Sequence, residues 1–125
     1  MSIKKIAILG AGNGGITAAA DLTLRGLDVS LFELPRFFDQ LASIRTKGGI
    51  TLKRKKTVEF CSPTLITNSI AEAVREAEVI MLTVPSFAIE EFAAECAPYL
   101  QNGQIVFLNG AASLSSLRFV NTKEV

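Results

Sequence analysis

The stretch GAGNGG at residues 10–15 follows the apolar run IAIL and precedes ITAAADL, and it narrows the folds open to this chain more than any other feature. Four glycines in six positions cost backbone entropy and add no packing. That cost is repaid only where the backbone must turn sharply or be approached closely. Ile3 to Leu9 is short and almost continuously apolar, as a parallel strand covered on both faces requires. Beyond the glycines, Ile16, Ala19, Ala20, Leu24 and Leu27 fall on one helical face, and Gly26 marks the helix end. Gly10, Gly12 and Gly15 therefore stand between a strand and a helix, within a β-α-β unit of about thirty residues.

The alternation continues. DVSLFE (28–33) reads as a second strand, and Pro35 opens a helix containing Phe37, Phe38, Leu41, Ala42 and Ile44, closed by Gly48 and Gly49. Between 50 and 66 the pattern becomes β-branched with a charged middle, which predicts a β-hairpin turning near Arg54 to Lys56. Ser69 and Glu72 form a capping box ahead of Ile70, Ala73, Val74 and Ala77. EVIMLTV (78–84) is the most hydrophobic strand and is expected at the sheet centre. Ile89, Phe92, Ala93, Cys96 and Leu100 line one face of the next helix, whose last turn Pro98 disturbs, and QIVFLNG (104–110) is a further strand. The remainder, AASLSSLRFVNTKEV, has no clear period. This order predicts an α/β fold, a Rossmann-type doubly wound parallel sheet with a β-hairpin insertion, spanning 1–125 as one domain.

Thirteen basic residues against twelve acidic ones argue against a nucleic-acid partner, and KRKK at 53–56 is read as a solvated hairpin tip. No apolar run approaches the roughly 20 residues of a membrane span, so no membrane partner is expected. The start, MSIKKIAILGAG, mimics a secretory signal but carries glycines and an asparagine through its middle. Cys61 and Cys96 lack metal spacing; with no disulfide expected between them, the cytoplasm is the default location.

In this context each glycine has a task. Gly10 permits the turn out of the strand, Gly12 lets a pyrophosphate reach the backbone, and Gly15 lets the helix pack on the strand. Ala11 completes the loop, while Asn13 and Gly14 at its tip offer backbone amides to phosphate charge. Glu33, 23 positions after Gly10, suits a carboxylate that accepts from ribose hydroxyls and repels a 2′-phosphate, which favours NAD over NADP. Arg36 softens that preference by offering a phosphate contact. An ordinary strand-end charge is the alternative for Glu33. Thr83, Val84 and Pro85, with Ser86, follow one strand and face the same ligand, although Pro85 and Ser86 equally suit a helix start. Asn109, after the last strand, points toward the nicotinamide end.

The segments AILGAGNGGITAAADLTLRG, VSLFELPRF with IRTKGGITL, AEVIMLTVPSFAIEEFA and GQIVFLNG together resemble the N-terminal domain of the octopine/nopaline (opine) dehydrogenase family. More distantly they are similar to ketopantoate reductases and glycerol-3-phosphate dehydrogenases. The resemblance covers nearly the whole chain. It implies an oxidoreductase that condenses an amino acid with a 2-oxo acid and reduces the imine with NAD(P)H. It also implies a second, mostly helical domain, absent from these residues, that carries substrate binding and a histidine. Relatives often carry a histidine shortly after the VP loop, where Ile89 stands here, and this chain has no histidine. No catalytic or metal-ligating residue is nominated. The expectation is a dinucleotide-binding domain that does no chemistry alone, with self-association through surface left for its partner domain. The alternative is a stand-alone regulatory module sensing NAD(H).

Overall fold

A computed structural model describes residues 3–53 and 55–108. Five parallel strands form the sheet: β1 (Lys5–Leu9), β2 (Asp28–Phe32), β5 (Leu65–Thr67), β6 (Val79–Leu82) and β7 (Ile105–Leu108), in the order β5-β2-β1-β6-β7. A separate antiparallel hairpin pairs β3 (Ile50–Lys53) with β4 (Val58–Cys61). The helices are α1 (Asn13–Leu24), α2 (Asp39–Lys47), α3 (Ile70–Val74) and α4 (Ile89–Cys96). The predicted doubly wound sheet and the inserted hairpin are both present.

Alternation within the strands builds two cores. Ala7 and Leu9 of β1 pack with Ile80, Leu82, Val74, Phe92 and Ala93 on the α3/α4 side. Ile6 and Ile8 face Ala19, Ala20, Leu41, Ile50 and Cys61, so α1, α2 and the hairpin cover the opposite side. The Phe32 and Phe92 rings meet edge to face at 6.2 Å, tying β2 to α4. Gly26 ends α1 at φ +91°, a left-handed conformation that favours glycine, and donates back to the Thr23 carbonyl. The Ser69 hydroxyl caps α3 by accepting from the Glu72 N–H.

Four expectations need correction. Leu65–Thr67 is a strand, paired parallel to β2 at the sheet edge, and not a tail of the hairpin. The middle strand is β1; the more apolar β6 is interior but one place aside. Pro35–Phe37 is a 3-10 turn ahead of α2, and the change of pitch leaves Phe37 outside the buried stripe, 45% exposed. Ser86 opens another 3-10 turn, Ser86–Ala88, without capping any helix through its side chain. Pro98 does disturb the end of its helix, where Ala97–Tyr99 tighten into 3-10 geometry.

Cys61 and Cys96 are buried in the two different cores, on opposite sides of the sheet, so the fold keeps them apart. Burial pushes the Cys61 thiol above its ordinary range, and the Glu59 carboxylate adds to the rise. Little thiolate then exists at pH 8 to react. The folded chain is expected to resist a disulfide reagent such as DTNB for minutes at that pH, with both thiols titrating at once in urea. Rapid labelling without denaturant would contradict this burial.

Candidate functional site

The sheet register assembles the site. Leu9 pairs with Phe32 on one side and with Leu82 on the other, so three strands finish level. The residues that follow them, Gly10, Glu33 and Thr83, are thereby brought together at the carboxyl ends. Successive strands are added outward from β1 to β2 and β5 on one side, and the chain then crosses to β6 and β7 on the other, which makes the gap between β1 and β6 the switch point where doubly wound sheets take ligands.

The glycines divide by what a side chain would meet. Gly10 has φ +109°, and a Cβ there would sit 2.6 Å from Val84 Cγ1 and 3.1 Å from the Thr83 carbonyl oxygen. A Cβ on Gly15 would fall inside the van der Waals envelope of the Gly10 carbonyl oxygen. These two residues are glycine because the fold leaves no room. Gly12 is different. Its backbone is extended (φ −74°, ψ −174°), and a Cβ would meet nothing within 4 Å. The space above Gly12 is open, as it is above Gly14, so the fold does not close a cradle there.

This open helix start is electropositive. Gly12 is the N-cap of α1, and its carbonyl accepts from the Ile16 N–H at 3.0 Å. The N–H groups of the first turn have no helical acceptor, no side chain caps them, and the turn contains no acidic residue. They suit an anion.

Glu33 is buried, 5% exposed, and its carboxylate is already anchored. Oε2 accepts from the Ala11 N–H at 2.8 Å and Oε1 from the Leu34 N–H at 2.9 Å. An ionised carboxylate offers about four acceptor sites, so capacity remains for hydroxyl donors. On the opposite flank the Thr83 hydroxyl donates to the Gly10 carbonyl at 2.8 Å and reaches the Leu9 carbonyl at 3.2 Å.

Gly10, Gly12, Glu33, Thr83, Val84 and Pro85 line one cleft of about 320 Å³. Ala11 is buried beneath the loop and Gly15 is packed against Gly10. Asn13 and Gly14 instead border a broader groove of about 660 Å³, formed with Thr17, Asp21, Leu52 and Lys53. That groove lies between α1 and the hairpin, whereas the smaller cleft takes in Gly10, Glu33 and Thr83 at the three strand ends and is the candidate site, with Asn13 and Gly14 next in the chain to its Gly12. Arg36 pairs with Glu91 of α4, and its guanidinium lies 4.8 Å from the Phe37 ring centroid. Asn109 lies outside the described residues.

Sequence reasoning missed four residues that line the cleft, Phe37, Phe87, Ala88 and Phe92. Phe87 is 89% exposed, a large ring offered to a planar ligand. Its setting in PSFAIEE gives no period that would separate a ligand-facing ring from a core one. The donor-rich helix start, the anchored carboxylate and the aromatic walls match the diphosphate, ribose and base of a dinucleotide.

A family model described as the N-terminus of NAD-dependent glycerol-3-phosphate dehydrogenase matches residues 5–112. The chain is 34% identical over 116 residues to an opine dehydrogenase of Arthrobacter sp. (strain 1C), covering 93% of this chain and 32% of that protein. It is 31% identical over 106 residues to a glycerol-3-phosphate dehydrogenase [NAD(P)+] of Lactobacillus delbrueckii subsp. bulgaricus, covering 83% of this chain and 30% of the relative. Among solved structures, octopine dehydrogenase in complex with NADH and agmatine superposes with a TM-score of 0.74 at 26% identity, covering 84% of this chain and 28% of that one. A 2-dehydropantoate 2-reductase from Porphyromonas gingivalis W83 gives 0.71 at 27% identity, covering 94% and 42%. The chain spans about a third of the length of these curated relatives. Among the described residues, no helix is long and apolar enough to cross a membrane.

Proposed function

Given that the chain belongs to the family of NAD-dependent glycerol-3-phosphate dehydrogenase N-termini, we propose that it is the coenzyme-binding domain of an opine-dehydrogenase-type oxidoreductase. Such an enzyme joins the amino group of an amino acid to a 2-oxo acid and reduces the resulting imine. The observation that carries the binding role is the open space above Gly12 at a helix start with uncapped donors. The extent of similarity to an opine dehydrogenase, across 93% of this chain, supports the choice of substrate class.

In this reading the N–H groups of Gly12, Asn13 and Gly14 hold the diphosphate, and Glu33 receives the adenosine ribose hydroxyls. Phe37 and Phe87 flank the base, and Arg36 stands at the rim held by Glu91. Thr83, Val84 and Pro85 border the nicotinamide half. The coenzyme, when bound, supplies the hydride. Imine reduction also needs a proton donor. The described lining of the cleft has one ionisable side chain, Glu33, and two backbone N–H groups already hold it. The chain has no histidine. This domain therefore contributes binding and orientation, and the proton is delivered from a second, helical domain.

The test is titration of the 125-residue chain with NADH, followed by coenzyme fluorescence. Saturable binding is expected; its absence would refute the proposal. NADPH is expected to bind about 10-fold more weakly, because a 2′-phosphate beside a buried carboxylate costs on the order of 1.4 kcal/mol or more. Glu33→Ala removes that repulsion along with the Ala11 contact, so both affinities fall while their ratio moves toward one. Equal affinities in the parent would overturn the preference for NAD.

A further inference from the structure

We propose that Thr83 and Glu33 form a positioning pair that fixes the peptide between Gly10 and Ala11 and so aims the glycine loop at its phosphate ligand. The inference rests on the dinucleotide reading above. The two side chains grip opposite ends of a single peptide group. Its carbonyl oxygen accepts from the Thr83 hydroxyl at 2.8 Å, and its N–H donates to Glu33 Oε2 at 2.8 Å. Thr83 follows β6 and Glu33 follows β2, so the grip comes from both flanks of β1.

This peptide needs holding. Gly10 lacks a Cβ, and its φ of +109° lies where glycine moves at little steric cost. Rotation of the Gly10–Ala11 plane would redirect everything downstream, and the next residue is Gly12, the N-cap of α1. The loop's own backbone supplies few restraints here. Gly10 donates its N–H to the Phe32 carbonyl, which leaves the following peptide plane to the two side chains. The Gly10 carbonyl oxygen is further confined by Gly15, whose missing Cβ makes the space it occupies. Thr83 and Glu33 therefore pre-order the donors before a ligand arrives, so that little ordering entropy is left for binding to oppose.

Thr83→Val keeps the shape and removes the hydroxyl. In the full chain it is expected to weaken NADH and ADP-ribose binding by about 5- to 10-fold, the size of one neutral hydrogen bond. Adenosine, which has no diphosphate, is expected to bind as it does to the parent. Thr83→Ser restores the hydroxyl and is expected to recover most of the lost affinity. Glu33→Gln places an amide N–H against a backbone N–H and also weakens NADH. Because both side chains act on one peptide, the double variant is expected to lose less than the product of the two single losses. Unchanged NADH and ADP-ribose affinity in Thr83→Val would overturn the pairing while leaving the coenzyme reading intact. Equal losses for adenosine and ADP-ribose, or no rescue by serine, would also overturn it, since they indicate a general loosening of the cleft. A parent chain that binds no NADH would remove the coenzyme reading itself.

Discussion

Gly12→Val is expected to fold like the parent and to bind NADH about 30- to 100-fold more weakly. The two halves of that result have separate causes. On the folding side, a Cβ at Gly12 meets nothing within 4 Å, and its extended backbone is open to valine. Replacing glycine at an N-cap by a β-branched residue costs about 1 kcal/mol. On the binding side, the isopropyl group fills the space a diphosphate must enter to reach the first-turn N–H groups. Overlap of this kind costs about 2.1 to 2.8 kcal/mol, hence the expected factor. Urea denaturation gives the first half and NADH fluorescence the second. Parent-like affinity in a folded variant would show that the ligand does not approach the backbone at this glycine.

Gly15→Ala is expected to do the reverse and damage the fold. Its Cβ would collide with backbone, namely the Gly10 carbonyl, and would lie 2.6 Å from Thr83 Oγ1. Neither neighbour is free to retreat. Gly10 is tied by its N–H to the Phe32 carbonyl at 2.8 Å and by its own carbonyl to Thr83. The helix would have to lift from the strand end and open the contact that buries Ala19 and Ala20. A loss of about 3 kcal/mol is expected, at the upper end of overpacking effects. With a urea slope of about 2 kcal/mol/M the midpoint falls by roughly 1.5 M. A parent-like midpoint would mean that the helix tolerates a wider stance on β1. Three glycines two or three residues apart thus divide into a pair the fold requires and one it leaves open.

Much of this was legible from residue order alone. An apolar run, a glycine loop and an apolar helical face announce a strand–turn–helix unit because each depends on short-range rules of burial and backbone freedom. Gly10, Glu33 and Thr83 each follow a strand whose end can be read, Gly12, Val84 and Pro85 lie one or two residues further on, and all six line one cleft. Leu65–Thr67 was not legible. Three residues after Pro63 carry almost no period, and their identity as a strand comes from pairing with β2. The start of α2 was not legible either: Pro35 suits the first turn of a 3-10 or an α-helix alike, and Pro35–Phe37 takes the tighter form before α2 begins at Asp39. Glu33's hold on Ala11 lay hidden for another reason. The spacing suggests a ribose contact for the carboxylate, but its pull on the loop joins residues 22 apart in the chain and depends on the register of β1 with β2.

Capture of the proposed coenzyme in this cleft would be a property of the assembled sheet, since Gly10, Glu33 and Thr83 meet only when β1, β2 and β6 are in register. A peptide excised around the glycines would bring the motif without the geometry. Retention on an immobilised nucleotide would accordingly serve as a gauge of correct folding throughout the sheet, and saturating coenzyme would in turn raise the denaturation midpoint by mass action.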